Sequence, residues 1–322
     1  MEKLDLKDYK ILYELDLNSR QSFKEIGNKV GLSKDSIIYR INQLKEKGVI
    51  KGFHTVFDVG KLGFTSFRVY LKLEKTNQEK EEEMINFLVN KKIVTWVVSI
   101  SGEYDLGFWI LSEKLDEMNR LWKELFHRYR DFIEKSNLAI FTKISYFSRN
   151  YLSKNSTKKK EYIFVTEPNK VKLDKKDLGI INLLSGNSRV PILEISQKLK
   201  MTPKTAASRI NQLEKDGVIV GYRTMFDLER LGYEYFKVHF NLHNLTGQKG
   251  KQFMGFLFSH PNVIYNNEVI GGDDVEIEIQ TESLESLRKI LNEIKNRFSD
   301  IIKNYKYLSF YKEHKYIFFP KS

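Results

Sequence analysis

The residues best placed to do chemistry lie on two short stretches, each opened by a hydroxyl side chain. In the first, Ser33 precedes Lys34, Ser36, Tyr39 and Arg40; in the second, Thr202 precedes Lys204, Thr205, Ser208 and Arg209. Serine and threonine are good helix N-caps, and Pro203 suits a first helical turn, where its missing N–H has no partner to lose. Ile37, Ile41 and Leu44 recur at helical spacing and claim the buried face, so Asp35, Ser36, Tyr39, Asn42 and Gln43 point outward. Small hydroxyls, a phenol and basic groups on one exposed helix face are suited to hydrogen bonding with phosphates and base edges. Arg40 and Arg209 flank the apolar stripe, where an internal ion pair or a phosphate contact fits better than base reading.

Covalent chemistry has little to work with. The chain has no cysteine, which excludes disulfides, zinc–thiolate sites and cysteine nucleophiles. Six histidines are scattered; His239 and His243 share a strand face but stand about 13 Å apart at roughly 3.3 Å per residue, too far for one metal. Spacing reveals no phosphate loop, nucleophile–base pair or carboxylate constellation, so the expectation is a protein that is not an enzyme, with no catalytic residues, metal or cofactor. The net charge of +12 and pI near 9.4 favour a polyanionic partner. No apolar run approaches a membrane span and the opening MEKLDLKDYK is not a signal sequence, which predicts a soluble, cytoplasmic protein.

The elements that position these stretches are written twice. Ser33 to Phe53 and Thr202 to Tyr222 keep RINQL, GVI and the following glycine at a shift of 169 residues, and about 21 of the 50 positions from Leu4 to Phe53 recur without a gap. Leu4, Tyr9, Ile11, Leu12 and Leu15 predict a first helix. Phe23, Ile26 and Val30 predict a short second one stopped by Gly31, and the capped third runs to about Lys47. Val49 to Phe57 then alternates as a strand, read as a wing, which completes a winged helix-turn-helix. From Leu62 the pattern becomes β-α-β-β-α-β, with strands at Phe67 to Leu71, Ile93 to Ile100, Leu106 to Leu111 and Leu138 to Phe147, a ferredoxin-like domain. The fold class expected is α+β, in tandem: a winged helix-turn-helix at 1–60, a ferredoxin-like domain at 61–152, a basic linker or insertion at 153–170, and the second pair at 171–229 and 230–322.

The pattern LSxxSxxxRIxxLxxxGVIxGF, followed by the Gly102-Glu103-Tyr104-Asp105 turn, resembles the Lrp/AsnC (feast/famine) regulators over nearly the whole chain. That resemblance implies a first domain that binds double-stranded DNA and a second, the RAM domain, that dimerises through its sheet. It also implies an amino-acid effector near the turn between the second and third RAM strands: Gly102, Tyr104 and Asp105 in copy one, Gly271 and Asp274 in copy two. Copy two carries Asp273 where copy one has Tyr104, so regulation is expected to act through copy one. The usual member has one copy per chain. Two copies imply an intrachain pseudo-dimer or a homo-oligomer, and two unlike recognition helices imply two unlike half-sites. The scaffold also resembles siroheme decarboxylases, so an enzyme that has given up DNA binding is the alternative to a regulator, and a protein-interaction role is a third.

Overall fold

The computed structural model describes residues 4–153, 159–165, 167–243 and 247–317. Copy one opens with three capped helices. Asp5 caps α1 (Leu6–Leu17) in a reciprocal box with Asp8, Ser22 caps α2 (Phe23–Val30) with Glu25, and Ser33 caps α3 (Lys34–Glu46). Gly31 ends α2 at φ +73°, a left-handed conformation in which a Cβ is disfavoured. Ile11, Leu15, Ile26, Ile37, Ile41 and Leu44 meet in the core between the helices. The chain continues through β1 (Ile50–Phe57), β2 (Thr65–Leu73), α4 (Gln78–Val89), β3 (Val94–Ser101), β4 (Leu106–Ser112), α5 (Leu115–Tyr129) and β5 (Ile133–Phe147). Residues 154–158 of the expected basic linker lie outside the described residues. Beyond them β6 (Glu161–Val165) adds a strand alongside β5.

Copy two repeats the order with α6 (Lys175–Gly186), α7 (Ile192–Lys198), α8 (Pro203–Lys215), β7 (Ile219–Phe226), a one-turn α9 (Leu228–Leu231), β8 (Glu234–Leu242), α10 (Gly247–Ser259), β9 (Val263–Ile270), β10 (Val275–Thr281), α11 (Leu284–Phe298) and β11 (Ile302–Tyr316). Among the described residues no helix is long and apolar enough to cross a membrane.

The strand read as a wing does not fold back on its own domain. β1 pairs antiparallel with its counterpart β7, so the two helix-turn-helix units share one ribbon in which His54 sits opposite Arg223, the same position in the other copy. The contacts around this ribbon come in pairs related by the 169-residue shift. Ser19 N–H donates to Tyr222 O at 3.0 Å and Ser188 N–H to Phe53 O at 3.1 Å. Thr55 Oγ1 donates to Leu184 O and Thr224 Oγ1 to Leu15 O, both at 2.9 Å, while the Ser19 and Ser188 hydroxyls meet at 2.7 Å. Arg20 reaches Ser188 O and Arg189 reaches Ser19 O. The copies are related by a pseudo-twofold axis.

The second domains obey the same axis. β5 pairs with β2 of its own copy and then with β9 of the other, and β11 pairs with β8 and then with β3. These two fifteen-residue strands close β2-β4-β3-β11-β8-β10-β9-β5 into one eight-stranded barrel, which leaves those strands without the free edges of an open sheet. Phe67, Val69, Phe108, Leu121 and Leu125 pack strands against helices in copy one. Phe236, Val238, Phe253, Leu287 and Ile294 do the same in copy two. The intervening strand residues face the barrel interior.

Copy two places Lys200 where copy one has Gly31, and holds it at φ +50°. A side chain in the left-handed region costs about 1–2 kcal/mol, part of which glycine's greater unfolded-state freedom offsets. Lys200→Gly should therefore stabilise the chain by about 0.5–1 kcal/mol, read as a higher urea midpoint. A lower midpoint would contradict the strain.

Candidate functional site

Each recognition helix keeps its expected polar face. Ser33 Oγ accepts from Ser36 N–H at 3.2 Å and Thr202 Oγ1 from Thr205 N–H at 3.1 Å, so these hydroxyls fix the helix starts. Lys34, Asp35 and Tyr39 are exposed on α3, as are Lys204, Thr205 and Ser208 on α8, while Ser36 is half-buried. Tyr39 is 65% exposed, a large phenol with no packing role. An open groove along α3 is lined by Asp35, Ser36, Tyr39, Arg40, Gln43 and Lys47. The two arginines are already engaged. Arg40 Nη1 lies 2.8 Å from Asp5 and 2.7 Å from Asp8, and Arg209 Nη1 lies 2.9 Å from Asp174 and 2.7 Å from Asp177. Both pin the recognition helix to the start of the first helix, and hydrogen bonding to the aspartates pushes both guanidinium pKa values upward.

The glycine turns are built alike in the two copies. Gly102 (φ +139°) and Gly271 (φ +86°) open them. Asp105 accepts from Leu73 N–H at 2.7 Å and Asp274 from Leu242 N–H at 2.8 Å, each tying the turn to the neighbouring strand. Lys72 also bonds Asp105, at 3.0 Å. Tyr104 is buried, its ring centroid 5.3 Å from that of Tyr70. Asp273, its counterpart, accepts from Asn241 at 2.8 Å and lies 2.9 Å from His239 Nδ1.

Inside the barrel lies an ionic cluster that crosses between the copies. Arg68 of copy one binds Glu276 of copy two, and Lys237 Nζ lies 2.9 Å from the same carboxylate oxygen. Lys237 is also 3.7 Å from Glu278, and Lys306 is 3.3 Å from Asp273. Burial alone would push the Glu276 carboxyl up, but Lys237, Arg68 and His239 together hold it well below its usual range. Asp273 is drawn down to about 2, chiefly by its hydrogen bond to His239. His239, Asp273 and Glu276 bring one nitrogen and two carboxylate donors within 4.8 Å of one another, so among the described residues these three could hold a metal ion. Their carboxylates are held by Lys237, Arg68 and Lys306, and a divalent ion would compete with those cations.

A second buried network joins the barrel to the first helix-turn-helix. Asp16 is fully buried at the end of α1 and accepts from Arg149 N–H at 2.8 Å, Arg149 Nη1 at 2.6 Å, Tyr146 OH at 3.2 Å and Arg223 Nη2 at 2.5 Å. The Arg223 guanidinium lies 3.2 Å from the Tyr146 ring centroid.

Neither network follows from spacing along the chain. Arg68 and Tyr70 alternate with Phe67, Val69 and Leu71, which reads as a half-exposed strand; the polar face is buried because the other copy covers it. Spacing sets His239 beside His243 on its own strand, whereas its carboxylate neighbours come from the turn and strand across the sheet. The signal available was the aligned replacement of Gly107 by Glu276 and of Tyr70 by His239.

Comparison with known proteins agrees with this architecture. The family described as winged helix-turn-helix DNA-binding matches residues 4–51 and 173–220. The HTH-type transcriptional regulator Ptr1 of Methanocaldococcus jannaschii is 37% identical over 105 residues, covering 32% of this chain and 68% of the relative. An uncharacterised HTH-type transcriptional regulator of Pyrococcus furiosus is 31% identical over 142 residues, covering 44% of this chain and 93% of the relative. Over the full chain, the solved structure of the siroheme decarboxylase NirDL with an iron-uroporphyrin III analogue matches at TM-score 0.63 and 15% identity, covering 98% of this chain and 94% of that one. The expectation that the chain is not an enzyme is corrected by this match: the same full-length tandem fold serves an enzyme. At that identity the likeness carries the fold, not the reaction.

Two outcomes follow from the buried charges. Asp16→Ala leaves Arg149 and Arg223 without their shared carboxylate and should cost about 3–5 kcal/mol in urea unfolding; a loss below about 1 kcal/mol would mean that the network bears little stability. Asp273 titrates near 2 when folded against 3.8 in its ordinary state. Its contribution is complete above about pH 4 and is lost as the pH falls towards 2. The stability difference between the wild type and Asp273→Asn should shrink across that window, and a constant difference would refute the assignment.

Proposed function

From the premise that the chain belongs to the Lrp/AsnC family of HTH-type transcriptional regulators, we propose that it is a sequence-specific regulator that binds duplex DNA through α3 and α8. The observation that carries this reading is the pair of capped recognition helices, each with its polar face in solvent and each pinned by the same arginine–aspartate clamp. A shared ribbon and a closed barrel hold both helices in one pseudo-twofold frame. Arg40 and Arg209 position the helices, and Lys34, Ser36, Tyr39, Lys204, Thr205 and Ser208 are the groups offered to phosphates and bases.

The two faces differ. Asp35 and Tyr39 in copy one align with Lys204 and Ser208 in copy two, which changes charge, size and donor pattern where base edges would be met. The preferred site is then two unlike half-sites about one helical turn apart, or a multiple of that. Selection from short random duplexes should return an asymmetric motif. Replacing Lys204 and Thr205 by alanine should relax one half by about 1–3 kcal/mol of discrimination and leave the other intact. A short perfect palindrome, lost equally on changing either helix, would overturn the tandem-reader idea. Affinity should fall about a thousandfold between 50 and 200 mM salt if roughly six phosphates are contacted; folded protein without salt-sensitive binding to any genomic fragment would overturn DNA binding itself.

A second reading rests on the full-length likeness to NirDL, which is solved in co-complex with an iron-uroporphyrin III analogue. A Soret band in the purified or porphyrin-titrated protein would favour it.

A further inference from the structure

Two copies of a self-pairing module in one chain present three pairings: one with two, one with one, and two with two. We propose that the buried ionic residues form a pairing code that admits only the unlike pair, so that the partner this surface fits is the other copy and not a second example of itself. The code has two parts, one in the barrel and one on the ribbon, and each part rejects one like pair.

The first part lies in the barrel. Arg68 and Lys237 are aligned by the 169-residue shift, so both copies bring a buried cation to this position. The carboxylate that answers them, Glu276, aligns with Gly107, so only copy two supplies it. Arg68 reaches across the interface to Glu276, and Lys237 uses the same oxygen from within its own copy. Were copy one to pair with itself, each Arg68 would meet a glycine. Its other hydrogen-bond partner, Asn137 at 3.0 Å, is neutral. Two guanidinium groups, each 2% exposed in the present pairing, would be buried without a carboxylate.

The second part lies on the pseudo-twofold axis. Position 54 of copy one sits opposite position 223 of copy two, so an axis residue always faces its own counterpart. In the unlike pair these are His54 and Arg223, and the arginine's charge is answered by Asp16 of copy one. The residue aligned with Asp16 in copy two is Ser185. Were copy two to pair with itself, Arg223 would face Arg223 in a buried site that offers serines instead of aspartates. The barrel does not reject this pair, because each copy two carries both Lys237 and Glu276. The axis does. Burying like charges against each other is the repulsive element that specific pairing requires.

A specific protease site inserted between Asn155 and Ser156 lets the chain be cut in urea and refolded as two fragments of distinct mass. Native mass spectrometry should find one-plus-two pairs in roughly hundredfold or greater excess over either like pair. Like pairs at their statistical share, or fragments that refold as monomers, would overturn the proposal. Arg223→His gives copy two the axis residue of copy one, and should allow two-plus-two pairs to appear while one-plus-one pairs stay absent; no gain of two-plus-two pairs would equally overturn it. If the nicked fragments do not refold, the intact chain decides through the urea midpoints of Arg68→Gln, Glu276→Gln and the double variant. A double variant that loses clearly less than the sum of the singles supports the cross-copy pair. Additive losses overturn it.

Discussion

Each copy of this module is unfinished where it meets the other. The backbone N–H of Ser19 finds its acceptor at Tyr222, that of Ser188 at Phe53, and among the described residues β1 has no ladder partner except β7. A buried donor without a partner is costly, so neither helix-turn-helix unit completes its hydrogen bonding alone. The barrel repeats the constraint on a larger scale. β5 and β11 each begin beside a strand of their own copy and end beside a strand of the other, so a copy taken alone would expose half of each long strand. Placement of both recognition helices follows from this mutual completion.

Much of the fold was legible in the sequence because its signals are local. Ser33 and Thr202 announce helix starts by cap chemistry, Gly31 announces a stop by its left-handed φ, and Phe67, Val69 and Leu71 announce a strand by alternation. What escaped was whatever depends on which surface covers which. Alternation gives the strand after α3, the wing, but not its partner β7 in the other copy. Alternation of Phe67, Val69 and Leu71 separates two strand faces without saying that the face of Ser66, Arg68 and Tyr70 is buried as well. The recognition helix divides in the same way: the outward position of Tyr39 follows from helical spacing, whereas the bonding of Arg40 to Asp5 and Asp8 depends on how α1 lies across α3.

The duplication separates what is held in common from what has diverged. Backbone-closing contacts recur in both copies, as do the turn aspartates Asp105 and Asp274 and the arginine–aspartate clamps. Three positions that face the axis or the barrel interior do not recur: His54 against Arg223, Asp16 against Ser185, Gly107 against Glu276. Identical subunits place the same residue at both ends of every symmetry-related contact, so a buried cation would appear twice with no freedom to place its carboxylate only once. Joining the copies in one chain removes that restriction, and the interior contains unlike partners that a symmetric pair does not permit.

The covalent connection also changes how occupancy depends on the amount of protein. When two separate subunits must meet before a site can be read, the active species grows with the square of subunit concentration at low expression and vanishes on dilution. Here β1 and β7 belong to the same polypeptide, so their pairing is intramolecular and its effective concentration is set by the connection between the copies, not by expression level. The paired frame forms in direct proportion to the number of chains, and a cell holding only a few copies has as many complete pairs of α3 and α8 as it has molecules.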